Sequence, residues 1–333
     1  MRTSRRFATP VMVLLCVVLT WILSDYQLYN LTQVGALAIV VLGLNLLMGH
    51  LGSISAGHSA LMGVGGYGTV LLTTRADVPG PFAIVLATLA TCVAGLIVGL
   101  PALRIRGLSF ALVTLGLAIV FPELVIHFSG LTGGANGLAS APVAVPFGLA
   151  LTQVQWMYLV VAVSLAVVVF GFLLVASSAY GRGLDAVRVS EDLANSCGVS
   201  PGRAGVLTFG VSAALAGFGG GLYQLSLGTA TPDTYSFSLS LSLVFASVIG
   251  GMRGAIGAIV GAAFIIYAPN YTASLGNHGP QLIYALLILA VVYGRRVIEL
   301  LRARRGTVDL RVDTDVTPAE PARQATASAA QRS

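Results

Sequence analysis

The residues able to do chemistry are few and scattered. The 333 residues hold 12 carboxylates, 4 histidines, 3 cysteines and 18 basic residues, every one of them arginine. A phosphate-binding loop of the GxxxxGK[ST] type needs a lysine to reach the phosphates, so this chain cannot carry one. HExxH, CxxC and Gly-x-Ser-x-Gly are absent too. The glycine runs GVGGYG and GFGGG lack the strand–turn–helix context of a dinucleotide site. Cys16 and Cys92 lie in apolar runs and Cys197 in a polar loop, which reads as three free thiols. No catalytic, metal or cofactor constellation is expected, and the chain is read as a non-enzyme.

Polar residues set in apolar runs are the next place to look, because an ionisable group in a membrane is costly and marks function by default. Glu123 follows Pro122 near one end of an apolar run, where its carboxylate either serves a site or reaches the interface. His58 lies in SISAGHS (53–59), as a ligand or as a neutral ring bonded to a nearby hydroxyl. Asn45, in LGLNLLMGH, is a ligand or an interhelical hydrogen-bond partner. His127 sits at a run's end. So few groups argue against a proton- or sodium-coupled carrier, which needs buried titratable or ion-coordinating side chains.

The most informative segment is SSAYGRGLDAVRVSEDLANSCGVSPGRAGV, residues 176–205. It has mixed charge and is competent to form a helix. Leu184, Val187, Val189, Leu193 and Val199 could make one apolar face, with Arg182, Asp185, Arg188, Glu191 and Asp192 supplying polar contacts. Gly198 is placed to end a short helix, and Pro201 discourages its extension. A helix lying on a membrane face without spanning it suits docking to a partner, or is an ordinary interfacial helix.

The elements that position these residues follow from composition. Hydrophobic residues make up 56% of the chain and charged residues 9%, against roughly 25% charged in a soluble domain. Forty glycines in so apolar a chain describe closely packed membrane helices. This excludes a soluble enzyme, a disordered chain and a nucleic-acid binder, and the long unbroken apolar runs argue against a β-barrel. The fold class expected is an all-α, polytopic membrane bundle. A span needs about 20 apolar residues. Ten candidates appear at roughly 8–24, 31–49, 55–74, 82–101, 108–128, 154–175, 204–227, 237–251, 255–270 and 280–294, or eight if 237–270 is not two spans. With both termini cytoplasmic, 17 of the 18 arginines fall on the inner side and only Arg75 outside.

Three segments follow: residues 1–30 with an uncleaved first helix, a transmembrane core over 31–305, and a disordered cytoplasmic tail over 306–333. The runs 61–68 and 215–223 are either a parallel repeat or two independent packing faces. Gly250, Gly254, Gly257 and Gly261 are spaced as a packing stripe on one helix.

The loop at 176–205 resembles the coupling loop of permeases from ABC importers for branched-chain amino acids. The pattern G-R-G-L-D-A-V-R…E-D-L-A…C-G-V carries it. LGLNLLMGHLGSISAGHSALMGVGGYG (42–68), LRIRGLSFALVTLG (103–116), LTGGANGL (131–138), VSAALAGFGGGLY, TPDTYSFSLS and VIGGMRGAIGAIVGAA follow in the family's order. The likeness covers about 31–294 and is nearest the M-type (LivM-like) branch.

The resemblance implies a transport subunit in the bacterial inner membrane. Its partners would be a sister permease of the H type (LivH-like), two cytoplasmic ATP-binding subunits, a periplasmic or lipoprotein substrate-binding protein, and membrane lipid. The chain itself would hold no cofactor, ATP being bound by its partners. It also assigns coupling to the ATPase to Gly181, Arg182, Asp185, Ala186, Arg188, Glu191, Asp192, Ala194 and Gly198. The translocation path falls to Asn45, Ser55, His58, Ser59 and Thr114. Departures fall at Ala118-Ile119, where the family places Gly-Glu, and at Val189-Ser190 and Asn195, where acidic residues are common. They leave open importers of urea, short amides or other hydrophobic amino acids. The rival classes are a secondary carrier and a passive channel.

Overall fold

The computed structural model describes residues 19–102, 108–140, 143, 145 and 151–272. Helix α1 is Asp25–Asn45 and continues as a π-helical turn, Leu46–Leu51. It starts earlier than the expected span, because Ser24 N–H donates to Gln27 Oε1 (3.3 Å) and Asp25 faces the positive helix start. After it come α2 (His58–Arg75), α3 (Gly80–Ala102) and α4 (Leu108–His127). Helix α5 (Gln153–Ser177) leads into two short helices, α6 (Ala179–Val189) and α7 (Glu191–Ser196). The long α8 (Pro201–Leu227) and a hairpin of α9 (Phe237–Gly250) and α10 (Ala255–Thr272) complete the described chain.

Eight of the ten expected spans thus appear as helices. The expected span at 280–294 and the tail 306–333 lie outside the described residues, as does all but the end of 8–24. Among the described residues, six stretches are long and apolar enough to cross a membrane: Asp25–Leu51, Gly80–Leu100, Ser109–His127, Gln153–Ser177, Pro201–Leu227 and Pro232–Gly250. A shorter apolar helix covers Ala255–Pro269. The chain is a polytopic helical membrane protein.

Burial sorts the helices into layers. The apolar window of α1 is 100% buried, ringed by α5, α8, α9 and α10. That of α4 is 22% buried. Helix α3 turns Phe82, Leu86, Leu89, Val93, Ile97 and Leu100 outward, one at each successive helical turn. An apolar outer face of this kind is paid no penalty in lipid or against another membrane chain.

The two glycine runs are the two sides of one contact. A Cβ on Gly65 would strike the backbone of Gly217, and one on Gly220 would strike the Met62 carbonyl. Lipid supplies no hydrophobic force between helices, so close backbone approach is what holds α2 to α8. The expected stripe at Gly250, Gly254, Gly257 and Gly261 is corrected. Gly250 ends α9 and Gly254 lies in the turn, while Gly257 and Gly261 on α10 pack against Gly250 and Ala246 across the hairpin.

The helices alternate in direction between two ends. One end holds the π-turn, α6, α7 and the 251–254 turn, and carries Arg182, Arg188, Arg203 and Arg253. The other holds Arg75, whose guanidinium donates to Gly130 O (2.7 Å). There a two-residue antiparallel ladder, β1 (Leu138–Ala139) with β2 (Thr229–Ala230), ties two loops together. Beside it Tyr67, Phe121 and Tyr235 pack with ring centroids 5.8–6.2 Å apart. Tyr67 donates to Ala230 O (3.2 Å) and Tyr235 to Gln224 Oε1 (2.7 Å).

Candidate functional site

The last turn of α1 is wound with the wider π period, over LLMGHL. Such turns occur mostly at functional sites. Its exit is Gly52, whose φ of 85° is a conformation that suits glycine, and Gly52 and Ser53 N–H groups both donate to Leu47 O. Gly49 faces the 251–254 turn so closely that a Cβ there would overlap the Met252 carbonyl. The carbonyl of Gly49, one of the orphan acceptors at a helix C-terminus, accepts from two guanidinium groups. One is Arg188 of α6 and the other is Arg253 Nε (3.3 Å). Asp185 of α6 answers from the other side. One of its oxygens, Oδ1, accepts from Arg253 (3.4 Å) and lies 3.3 Å from His50 Nδ1. The His50 ring is buried edge-on to Phe172 of α5, 5.9 Å between centroids, and its Nε2 has no hydrogen-bond partner among the described residues. Three elements therefore meet in one knot: the end of α1, the start of α10 and helix α6.

The nine residues assigned to coupling separate into inward and outward groups. Gly181 is buried at the α5–α6 corner, where a Cβ would meet the Val175 and Ala176 carbonyls and where its N–H caps onto Ser178 Oγ (3.2 Å). Asp185 and Arg188 are spent on the knot. Ala194 is fully buried, and its carbonyl takes Val199 N–H (2.9 Å). Ala186 O accepts the Ser190 N–H that ends α6, and Glu191 opens α7. Arg182, Asp192 and Gly198 are exposed, Gly198 with φ 76° at the turn into α8.

The single apolar face expected over 184–199 is not formed. Ser190 (φ −162°, ψ 138°) breaks the helix in two. Leu184 is fully buried and Val187 and Val199 partly so, while Val189 and Leu193 are 74% and 47% exposed. The exposed surface is thus mixed, with Arg182, Arg188, Val189, Asp192, Leu193 and residues 195–198 open.

The five residues assigned to the path are brought together, and all are fully buried. They surround residues 52–57, a non-helical stretch between α1 and α2 whose inner part is buried. Non-helical backbone inside a membrane protein must find side-chain partners. Ala56 N–H donates to Thr114 Oγ1 (3.0 Å), and Ala56 O accepts from Ser240 Oγ. His58 Nδ1 pairs with Ser55 Oγ (3.1 Å) and Nε2 with Ser212 Oγ (2.8 Å), which donates on to Gly43 O (2.7 Å). Asn45 Nδ2 donates to Gly254 O (3.3 Å), and its Oδ1 accepts from Ser247 (2.6 Å). Ser59 N–H reaches Ser240 Oγ (3.5 Å), and its own hydroxyl has no partner. The seam so formed links α1, α2, α4, α8, α9 and the α9–α10 turn.

Glu123 and His127 are exposed on α4, His127 against Phe128, away from the seam. Sequence reasoning missed His50, Arg253, Ser212, Ser240 and Ser247. The one signal available for the serines was a hydroxyl recurring inside apolar runs. His50 and Arg253 carried none, because their partner Asp185 is 135 and 68 residues distant.

Comparison with known proteins adds the following. A family model described as "Branched-chain amino acid transport system / permease component" matches residues 26–294. The chain is 26% identical over 307 residues to the high-affinity branched-chain amino acid transport system permease protein LivM of Salmonella typhimurium, covering 85% of this chain and 72% of that protein. It is 26% identical over 278 residues to LivM of Escherichia coli, covering 77% of this chain and 65% of that one. No solved structure matches.

Proposed function

The chain belongs to the branched-chain amino acid transport system permease family, and from that premise we propose that it is the membrane wall of an ABC importer for leucine, isoleucine and valine. It sits in the bacterial inner membrane with both termini in the cytoplasm and pairs with a sister permease. A separate binding protein delivers the substrate from outside, and two ATP-binding subunits drive the cycle from inside. The chain hydrolyses no ATP itself.

The observation that carries this reading is the α6–α7 pair. It is an ordered, non-spanning corner at the end where four of the described arginines gather, with Val189 and Leu193 exposed beside Arg182 and Asp192. Exposed aliphatic residues ringed by charge are what a protein partner covers. In this reading α6–α7 docks on the ATPase, and Gly181, Arg182, Asp185, Ala186, Arg188, Glu191, Asp192, Ala194 and Gly198 are the coupling set, some touching the ATPase and the others holding α6–α7 in place for it.

The path runs along the seam of Asn45, Ser55, His58, Ser59 and Thr114. These side chains are buried in the described state, all but the Ser59 hydroxyl hydrogen-bonded to neighbouring elements of the bundle. Alternating access would exchange those partners for water and a passing zwitterion. Small neutral polar groups suit this because they wet a passage without binding tightly.

The test is reconstitution of the full importer in proteoliposomes with leucine uptake as readout. ATP-dependent uptake that needs both ATP-binding subunits and survives ionophores is expected. Uptake by this chain without ATPase subunits would instead point to a carrier. The double variant Asn45→Leu, His58→Leu should still assemble but lose uptake, and undiminished uptake would take both residues off the path. Calorimetry of leucine against the cognate binding protein checks the substrate.

A further inference from the structure

We infer that Asp185 and Arg188 do not hold the ATPase but clamp α6 rigidly to the π-turn of α1 and to the α9–α10 turn, so that a push on α6 is delivered to the seam. The inference rests on the importer reading above and specifies how force crosses this chain.

The contacts define a short mechanical chain. Arg188 reaches Gly49 O, and Asp185 spans His50 and Arg253. Arg253 also holds Gly49 O. Four residues before Gly49, Asn45 bonds Gly254 O and Ser247, so the same two elements are joined again one layer deeper. Gly49 lets two backbones touch, Met252 O abutting it, and Gly52 leaves room for the Arg188 side chain, whose Cβ would lie 3.4 Å from a Cβ at Gly52.

Strength is not the purpose. Arg253 and Asp185 side chains are 60% and 41% exposed, and exposed ion pairs add little stability. What the pairs fix is geometry. Several weak bonds at different angles stop α6 from sliding past α1, and the π-turn, with its wider winding, is the part of α1 able to rewind. His50, whose Nδ1 faces Asp185, lies on that same turn. Asp185, Arg188, His50 and Arg253 are positioning residues: none is required to touch substrate or ATPase.

Two experiments on the whole reconstituted importer decide the matter. In the first, Asp185→Asn, Arg253→Gln and their combination are compared for ATPase co-purification, ATP hydrolysis and leucine imported per ATP. Co-purification should stay at the level of the unaltered chain while leucine per ATP falls about fivefold or more, in the range of ordinary coupling energies. The double variant should be no worse than either single one, as expected of a shared contact. Loss of co-purification in Asp185→Asn would overturn the clamp by making Asp185 a docking contact, and unchanged leucine per ATP would overturn it too.

In the second, Gly52→Cys with Arg188→Cys is made in a background lacking Cys16, Cys92 and Cys197. The Cβ separation is within reach of a disulfide. Import should persist when the pair is oxidised and drop when it is reduced, since oxidation replaces the clamp and reduction leaves it open. Import that stops on oxidation with the ATPases still bound would mean that α6 must move against α1, and the clamp fails. If the unaltered chain itself retains no ATPase, it is the importer reading that falls.

Discussion

At the scale of single residues, this molecule is governed by what glycine allows and what serine completes. Gly49 has the 251–254 backbone where a side chain would be. Gly49→Ala should therefore lower stability by about 1–3 kcal/mol, as overpacking does, seen as a fall in Tm in detergent. Gly171→Ala is the control, because nothing lies within 4 Å of its would-be Cβ; its Tm should hold or rise, alanine being the better helix former. The serines behave oppositely. Removing the Ser212 hydroxyl would leave His58 Nε2 buried and unpaired. An orphaned buried group costs about 1–3 kcal/mol, so Ser212→Ala should melt earlier. Ser212→Ala combined with His58→Leu should cost less than the sum of the two, measured as Tm in the same detergent. Additive losses would mean that the two groups do not share a bond.

At the scale of elements, α6 is held from below by one side chain and from the side by the clamp. Leu184 is its fully buried anchor. Leu184→Ala should cost about 2–5 kcal/mol at the site. The loss should be local, because α6 rests against α5, α8 and the π-turn without threading the bundle. Amide exchange across 179–189 should quicken while that of α1 stays slow. Equal acceleration in α1 would show that the two elements open together. The break at Ser190 matters for the same reason. Val189 and Leu193 lie on either side of it. Two helices at an angle leave them exposed, next to Arg182 and Asp192, where a partner can reach them.

At the scale of the whole molecule, the two ends differ in kind. The arginine-bearing end is tied by charged side chains, and the far end by Tyr67, Phe121, Tyr235 and the β1–β2 ladder. Arginine placement orients helices during insertion, and the proposed orientation has α6, α7 and the exposed Cys197 on the cytoplasmic side. In a background lacking Cys16 and Cys92, a membrane-impermeant maleimide should label Cys197 in inside-out vesicles and leave it unlabelled in intact spheroplasts. Labelling from outside would reverse the orientation and remove the ATPase from reach of α6.

Much of this architecture was legible in the amino-acid order because the bilayer imposes one-dimensional rules. An apolar run of sufficient length must be a helix, since only internal hydrogen bonds satisfy its backbone. Spans such as 154–175 and 204–227 therefore fell within a few residues of α5 and α8, and Gly198 and Pro201 marked the turn between α7 and α8. The tertiary structure alone decided which face each residue shows. Asp185 turned inward because His50 and Arg253 arrive from distant parts of the chain. Gly65 met Gly217, turning two similar runs into one contact. Hydropathy and spacing describe how a residue meets lipid or its own helix. They carry no term for which other helix stands opposite, and in a membrane, where helices associate by close shape and hydrogen bonds, that neighbour determines the rest.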